Sequence, residues 1–421
     1  MKADLIIHNI KKLYTPFHQP PIKGAKMHDI LEVDDCFIAI KNGNILHIGK
    51  EDIASFSNEE TIFHDAKNKI CLPGFIDGHS HLVHGGSRED EFALLRSGTP
   101  YLDILRAGGG ILNTVKKTKE SPFEALYDKA KKSLNIMMTY GVTTLETKSG
   151  YGLSLQHEIK QLEVAKTLKT HHPMHIYLTY MGAHAIPVQY KDRINTYVNQ
   201  IKKDMEIIKQ LDLAKSVDVF CEAHVFDVQN TKDMLLYAKS LGFDVRIHAD
   251  EIHPLGGAGL GVELEAKSVD HLMAISDEDI IKLANSQTIA NVLPGTSFYL
   301  DKAYAPARKM IDQGVALGIA GDYNPGSCPT ENYQFILQLA ANHMKLTSNE
   351  ILTAATINPA YHLDCACEKG SLEVDKHADL ILLDAPNLDF VFYHYGINHV
   401  TDVFIKGHHV VKNKLVIKEV V

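Results

Sequence analysis

Eight short apolar runs, most of them separated by stretches with helical spacing, set the strongest constraint on how this chain folds. The runs are KICLPGFID, GVTTLETK, MHIYLTYM, SVDVFCEA, DVRIHAD, SVDHLM, TIANVLPG and GVALGIAGD. Helix-like stretches between them cover residues 155–170, 193–211, 231–241, 277–284 and 303–313. Strands joined through helices run parallel, because the helix carries the chain back to the end where the previous strand began. Eight such units predict an α/β chain with a closed (β/α)8 barrel, although the pattern alone also fits an open, doubly wound sheet. At 421 residues, 45% of them hydrophobic, the chain has material for a large barrel core and an accessory unit.

The two ends differ from the middle. DLIIHNI, CFIAIKNGNILHIG and TIFHDAKNKI have strand texture, and Asn42-Gly43 marks a hairpin turn. HADLILLDA and HVTDVFIKGHHVVKNKLV repeat that texture near the C-terminus. We therefore expect residues 1–70 and 361–421 to form one small β-sandwich domain, with residues 71–360 inserted as the barrel.

Composition excludes several classes of function. The net charge is −9 and no long Lys/Arg block occurs, which argues against nucleic acid as a partner. No run of 18 apolar residues is present, so no membrane span is expected. The opening MKADLIIHNIKKLY lacks the apolar core of a secretory signal. Six scattered cysteines without a CxxC pair suit reduced thiols and a cytoplasmic location.

In a barrel of this kind the chemistry sits where strands end. The first run ends in Asp77-Gly78-His79-Ser80-His81. Side chains alternate along a strand, so His79 and His81 point the same way and can share a cation. Alone, an HxH is equally an ordinary packed pair. The fifth run, however, ends in His248 and the eighth in Asp322, so three imidazoles and a carboxylate meet on one rim. Such a set suits one divalent metal ion, zinc or iron, with a position left for water. Tyr151, His184, Glu251 and His271 fall on the same rim, as do Arg88, Asn324, Gly326 and Ser327. Arg88 has a simpler alternative, a surface pair with Glu89 or Asp90. Glu222 and His224, after the fourth run, are possible outer neighbours of the metal.

GFIDGHSHLVHGGSRE, KSGYGL, GAHAIP, the HADE stretch His248–Glu251 and GDYNPGSCPTEN together resemble the imidazolonepropionases of the amidohydrolase superfamily. The tail ILTAATINPAYHLDCACEKGSLEVDKHADLILLDAPN extends the resemblance over nearly the whole chain. The resemblance implies a TIM-like barrel and one metal on His79, His81, His248 and Asp322. It implies hydrolysis of the cyclic amide of 4-imidazolone-5-propanoate to N-formimidoyl-L-glutamate in histidine degradation, by a metal-activated water. Substrate-binding positions would be Arg88, Tyr151, His184, Glu251, Asn324, Gly326 and Ser327. Arg88 would clamp the substrate carboxylate. Glu251 or His271 would move the proton, and His184 would stabilise the oxyanion. A homodimer is expected from the family.

Two positions depart from the pattern: Gly78 stands where proline is expected, and His84 where an aromatic is expected. The fourth run carries no lysine, which favours one metal over a lysine-bridged pair. Rival readings are a deaminase of a purine, a pterin or a related heterocycle, and an inactive barrel used in protein assembly. The latter should have lost a ligand, and all four are present.

Overall fold

Each central run is buried along most of its length, as a parallel sheet covered by helices requires. In the computed structural model, which describes residues 1–99, 103 and 109–418, eight parallel strands follow one another in sequence order around a barrel. They are Phe75–Asp77, Val142–Lys148, His175–Ala183, Ser216–Cys221, Asp244–Ala249, Ser268–His271, Ile289–Val292 and Leu317–Ile319. We call them the first to eighth barrel strands. Helices Leu155–His171, Ile194–Gln210, Val228–Ser240, Gly257–Glu263 and Asp277–Ala284 separate the second to seventh strands. Among the described residues, helices Glu89–Arg96, Ile111–Glu120 and Phe123–Thr139 lie in the long connection between the first and second. Among the described residues, no helix is long and apolar enough to cross a membrane.

The run KICLPGFID is two strands. Ile70–Pro73 belongs to a second, mostly antiparallel sheet, and the chain enters the barrel only at Phe75. Gly74 makes the change of sheet possible: a Cβ there would lie 2.3 Å from the Thr143 hydroxyl. Ile70–Pro73 pairs with Leu380–Leu383 from the C-terminal region and with Leu5–Pro16 from the N-terminal one. Strand alternation divides the apolar residues here. Leu380 and Leu382 enter the sheet's own core, whereas Ile381 and Leu383 pack into the main core shared with the barrel. Asn42 (φ 50°) and Gly43 (φ 79°) form the tight turn between strands Ile30–Lys41 and Asn44–Gly49.

The barrel closes along a narrow seam. Among the described residues, the first and eighth strands share no ladder, and the chain just beyond them meets at one bridge between Ser80 and Tyr323. Asp322 N donates to His79 O at 2.9 Å and His81 N to Tyr323 O at 2.8 Å. The buried Tyr333 hydroxyl donates to Ile319 O (2.6 Å) and also faces Ile76 O (3.2 Å), so it staples the two strands from outside the barrel. Tyr333→Phe should cost about 1–3 kcal/mol, the penalty of a buried polar group left without its partner. Denaturant unfolding checks this, and an unchanged midpoint would remove Tyr333 from the seam.

Candidate metal centre

The seam that closes the barrel also places the candidate ligands. Asp77 Oδ1 accepts from Gly321 N at 2.9 Å, and a Cβ on Gly321 would lie 2.5 Å from Asp77 Oδ2. Glycine at 321 therefore lets the eighth strand's end approach the first. Asp322 then takes a left-handed backbone (φ 54°), and Thr296 Oγ1 donates to its Oδ2 at 2.5 Å. The remaining oxygen, Oδ1, lies 3.5 Å from His79 Nε2 and 3.7 Å from His81 Nε2. His248 brings its ring centre to 4.4 Å from that of His79 and 5.6 Å from that of His81. One nitrogen from each of these three imidazoles lies within 4.8 Å of the others.

The donor set fits a cation. His79 Nδ1 is 2.7 Å from Asp270 Oδ2, and His248 Nδ1 is 3.0 Å from Asp218 Oδ1. A carboxylate acceptor holds the proton on Nδ1 and leaves the Nε2 lone pair free. Both Nε2 atoms are buried without a hydrogen-bond partner. Burial, reinforced by neighbouring cationic groups, holds the pKa values of His79 and His81 well below the usual imidazole range. Neutral imidazole is the form that binds a metal.

Around this cluster, His184 stacks on His81 with ring centres 4.8 Å apart, and Tyr151 lies 5.6 Å from His81. His184 Nδ1 is 3.1 Å from Gly150 O, and burial lowers its pKa to about 3. A neutral His184 that donates from Nδ1 presents Nε2 as an acceptor. His271 Nε2 lies 3.8 Å from Glu251 Oε2. His271 has φ 80°, a costly value for a residue with a Cβ. That turn breaks the strand's alternation and lets the consecutive residues Asp270 and His271 both reach the site.

Arg88 pairs with neither Glu89 nor Asp90. Its Nε donates to Glu91 Oε2 at 2.8 Å, and Glu91 Oε1 also accepts from Gly110 N and the Asn113 amide. Arg88 Nη1 comes so close to Gly326 that a Cβ there would lie 2.1 Å away. Asn324 is engaged in its own turn. Its amide donates to Asp322 O and Ser327 Oγ, and its Oδ1 accepts from the nitrogens of Gly326 and Ser327. Asn324 therefore shapes the loop that meets Arg88. Glu222 accepts from the backbone nitrogen of Ile252 and lies 2.7 Å from His253 Nδ1.

The two unusual positions have local explanations. A Cβ on Gly78 would lie 2.4 Å from His362 Nε2, so His362 occupies the space a larger residue needs. His84, with burial lowering its pKa to about 3, is a neutral ring beside Tyr323 whose Nδ1 lies 2.9 Å from His81 O.

Sequence reasoning did not single out Asp218, Asp270, Lys148, Thr296 or Glu91. One signal was available: Ser-Val-Asp occurs at 216–218 and again at 268–270, an acidic residue inside an otherwise apolar run.

Known proteins resemble this chain at two levels. The amidohydrolase family model matches residues 70–410. A protein named imidazolonepropionase from Caldanaerobacter subterraneus is 48% identical over 414 residues, covering 98% of this chain and 99% of its own. Another of that name from Alkaliphilus oremlandii is 48% identical, covering 99% and 100%. Among solved structures, an adenosine deaminase from Xanthomonas campestris with bound zinc aligns with a TM-score of 0.71 at 17% identity, covering 99% of this chain and 95% of its own. An atrazine chlorohydrolase from Arthrobacter aurescens complexed with zinc aligns at 0.70 and 16%, covering 98% and 96%. These structures share the fold.

Asp322→Ala should abolish stoichiometric metal binding, read by elemental analysis of folded protein. Full metal retention would remove Asp322 from the ligand set.

Proposed function

The chain belongs to the imidazolonepropionases of the amidohydrolase family, and from that premise we propose how its site works. The enzyme hydrolyses the cyclic amide of 4-imidazolone-5-propanoate to N-formimidoyl-L-glutamate in histidine degradation. The observation that carries our reading is the convergence of Asp322 and three buried imidazoles beside a half-buried Glu251. His79, His81, His248 and Asp322 would hold one divalent cation, zinc or iron. That cation supplies Lewis acidity and lowers the pKa of water from 15.7 to about 7.

Glu251 moves the proton. Burial raises its carboxyl to about 7, where it both accepts and returns a proton near neutral pH. His271 is a weaker base, since burial lowers its pKa to about 4. Water attacks the ring carbonyl, and Glu251 takes its proton. The new C–O bond forms, the ring C–N bond breaks, and the proton passes from Glu251 to the departing nitrogen. His184, through Nε2, accepts a hydrogen bond from a ring N–H and so orients the imidazolone. Tyr151, buried beside His81 and His184, packs against the ring.

Arg88 binds the propionate carboxylate. Its Nε is fixed by Glu91, and its Nη1 lies along Gly326, so the guanidinium is oriented before substrate arrives. Gly326 and Ser327 form the wall opposite, held by Asn324. A cytoplasmic location is part of the same proposal, and reducing conditions there suit a chain with six unpaired thiols, five of them buried.

Arg88→Lys should raise KM for imidazolone propionate strongly with little loss of kcat, because an ammonium keeps the charge and loses the fork. Unchanged kinetics would remove Arg88 from the site. Glu251→Gln should lower kcat by about 10²–10⁴-fold. A loss of less than about tenfold would transfer the proton role to His271.

A further inference from the structure

Behind His79 and His248 lies a polar layer organised by one ammonium. Lys148 ends the second barrel strand, and its side chain is 0% exposed. Its Nζ lies 2.9 Å from Glu146 Oε1, 3.0 Å from Asp218 Oδ2 and 3.8 Å from Asp270 Oδ2. These are the two aspartates that accept from His248 and His79. One oxygen of Asp218 faces His248 and the other faces Lys148, while a single oxygen of Asp270 faces both His79 and Lys148. A chain of contacts therefore runs from the first barrel strand to the fifth through one lysine.

Asp218, His248 and Asp270 place their ligating atoms close enough to hold an ion themselves. Lys148 Nζ stands against two of these three groups and supplies a positive charge there. Buried carboxylates this close repel unless a cation lies between them. Arg246, the neighbouring buried cation, is already committed. Its guanidinium contacts His362 Nδ1 and donates to His362 O and Ser268 Oγ. A compact ammonium with three donors suits a cluster of three carboxylates.

We propose that Lys148 is a positioning residue for the metal centre. Its ammonium locks Asp218 and Asp270 in place, and through them it aims Nε2 of His248 and of His79 at the cation. This inference rests on the metal-binding reading above.

The test measures metal affinity of folded protein by competition with a chelator, alongside the absorption spectrum of the cobalt-loaded form. Groups that orient metal ligands typically contribute about 10–100-fold in affinity. Lys148→Met should therefore weaken metal binding by about that factor and shift the cobalt bands. Asp218→Asn should weaken it too. In the Asp218→Asn background, Lys148→Met should cost clearly less than it does alone, because the lysine acts through that carboxylate. Lys148→Gln keeps a hydrogen-bond donor without the charge, and serves if the methionine variant fails to fold. It should also weaken the metal. Native affinity in a folded Lys148 variant, or losses that simply multiply in the double variant, would overturn the proposal. A native protein that binds no metal would instead overturn the metal-binding reading itself.

Discussion

The closure of the barrel between its first and eighth strands is the constraint on which the site depends. Few bonds hold that seam: the Ser80–Tyr323 bridge, the backbone pairs around His79 and Asp322, the Asp77–Gly321 contact and the Tyr333 hydroxyl. The histidine pair and the aspartate are carried on the two chain segments that meet there. A seam opened by an ångström would separate ligands that now lie 3.5–3.7 Å apart. The left-handed backbone of Asp322 is tolerated because the surrounding bonds over-determine it.

The barrel interior holds many charges that a hydrophobic core would reject. Glu146, Lys148, Asp218, Arg246 and Asp270 are all buried. Each has at least one partner of opposite charge or a hydrogen-bonding neighbour, which offsets part of the cost of removing it from water. The main hydrophobic core between barrel strands and helices supplies most of the favourable burial. The polar interior consequently contributes orientation more than stability. Oriented carboxylates fix imidazole tautomers, and the tautomers decide which nitrogen faces the cation.

Much of this was legible in the sequence, because strand ends are local features. Eight apolar runs each hold one of the eight barrel strands, and the residues at their ends include His79, His81, His248 and Asp322, which the fold gathers. What escaped is non-local. The break of KICLPGFID at Gly74 depends on which sheet each half pairs with, and both halves are equally apolar. Asp218, Asp270 and Lys148 lie within or at the ends of runs that read as ordinary strands. Arg88 chooses Glu91 over its immediate neighbours because helix Glu89–Arg96 brings i+3 within reach. The contact of His184 Nδ1 with the Gly150 carbonyl joins residues 34 positions apart in the chain.

The pairing of Ile70–Pro73 with Leu380–Leu383 bears on how the protein is made. Ribosomes add roughly 5–20 residues per second, so strand Ile70–Pro73 waits on the order of fifteen to sixty seconds for its partner. During that interval its outer edge is a template for other chains. Cells that slow translation, or that lack a chaperone able to cover this edge, should accumulate aggregates seeded by the N-terminal segment.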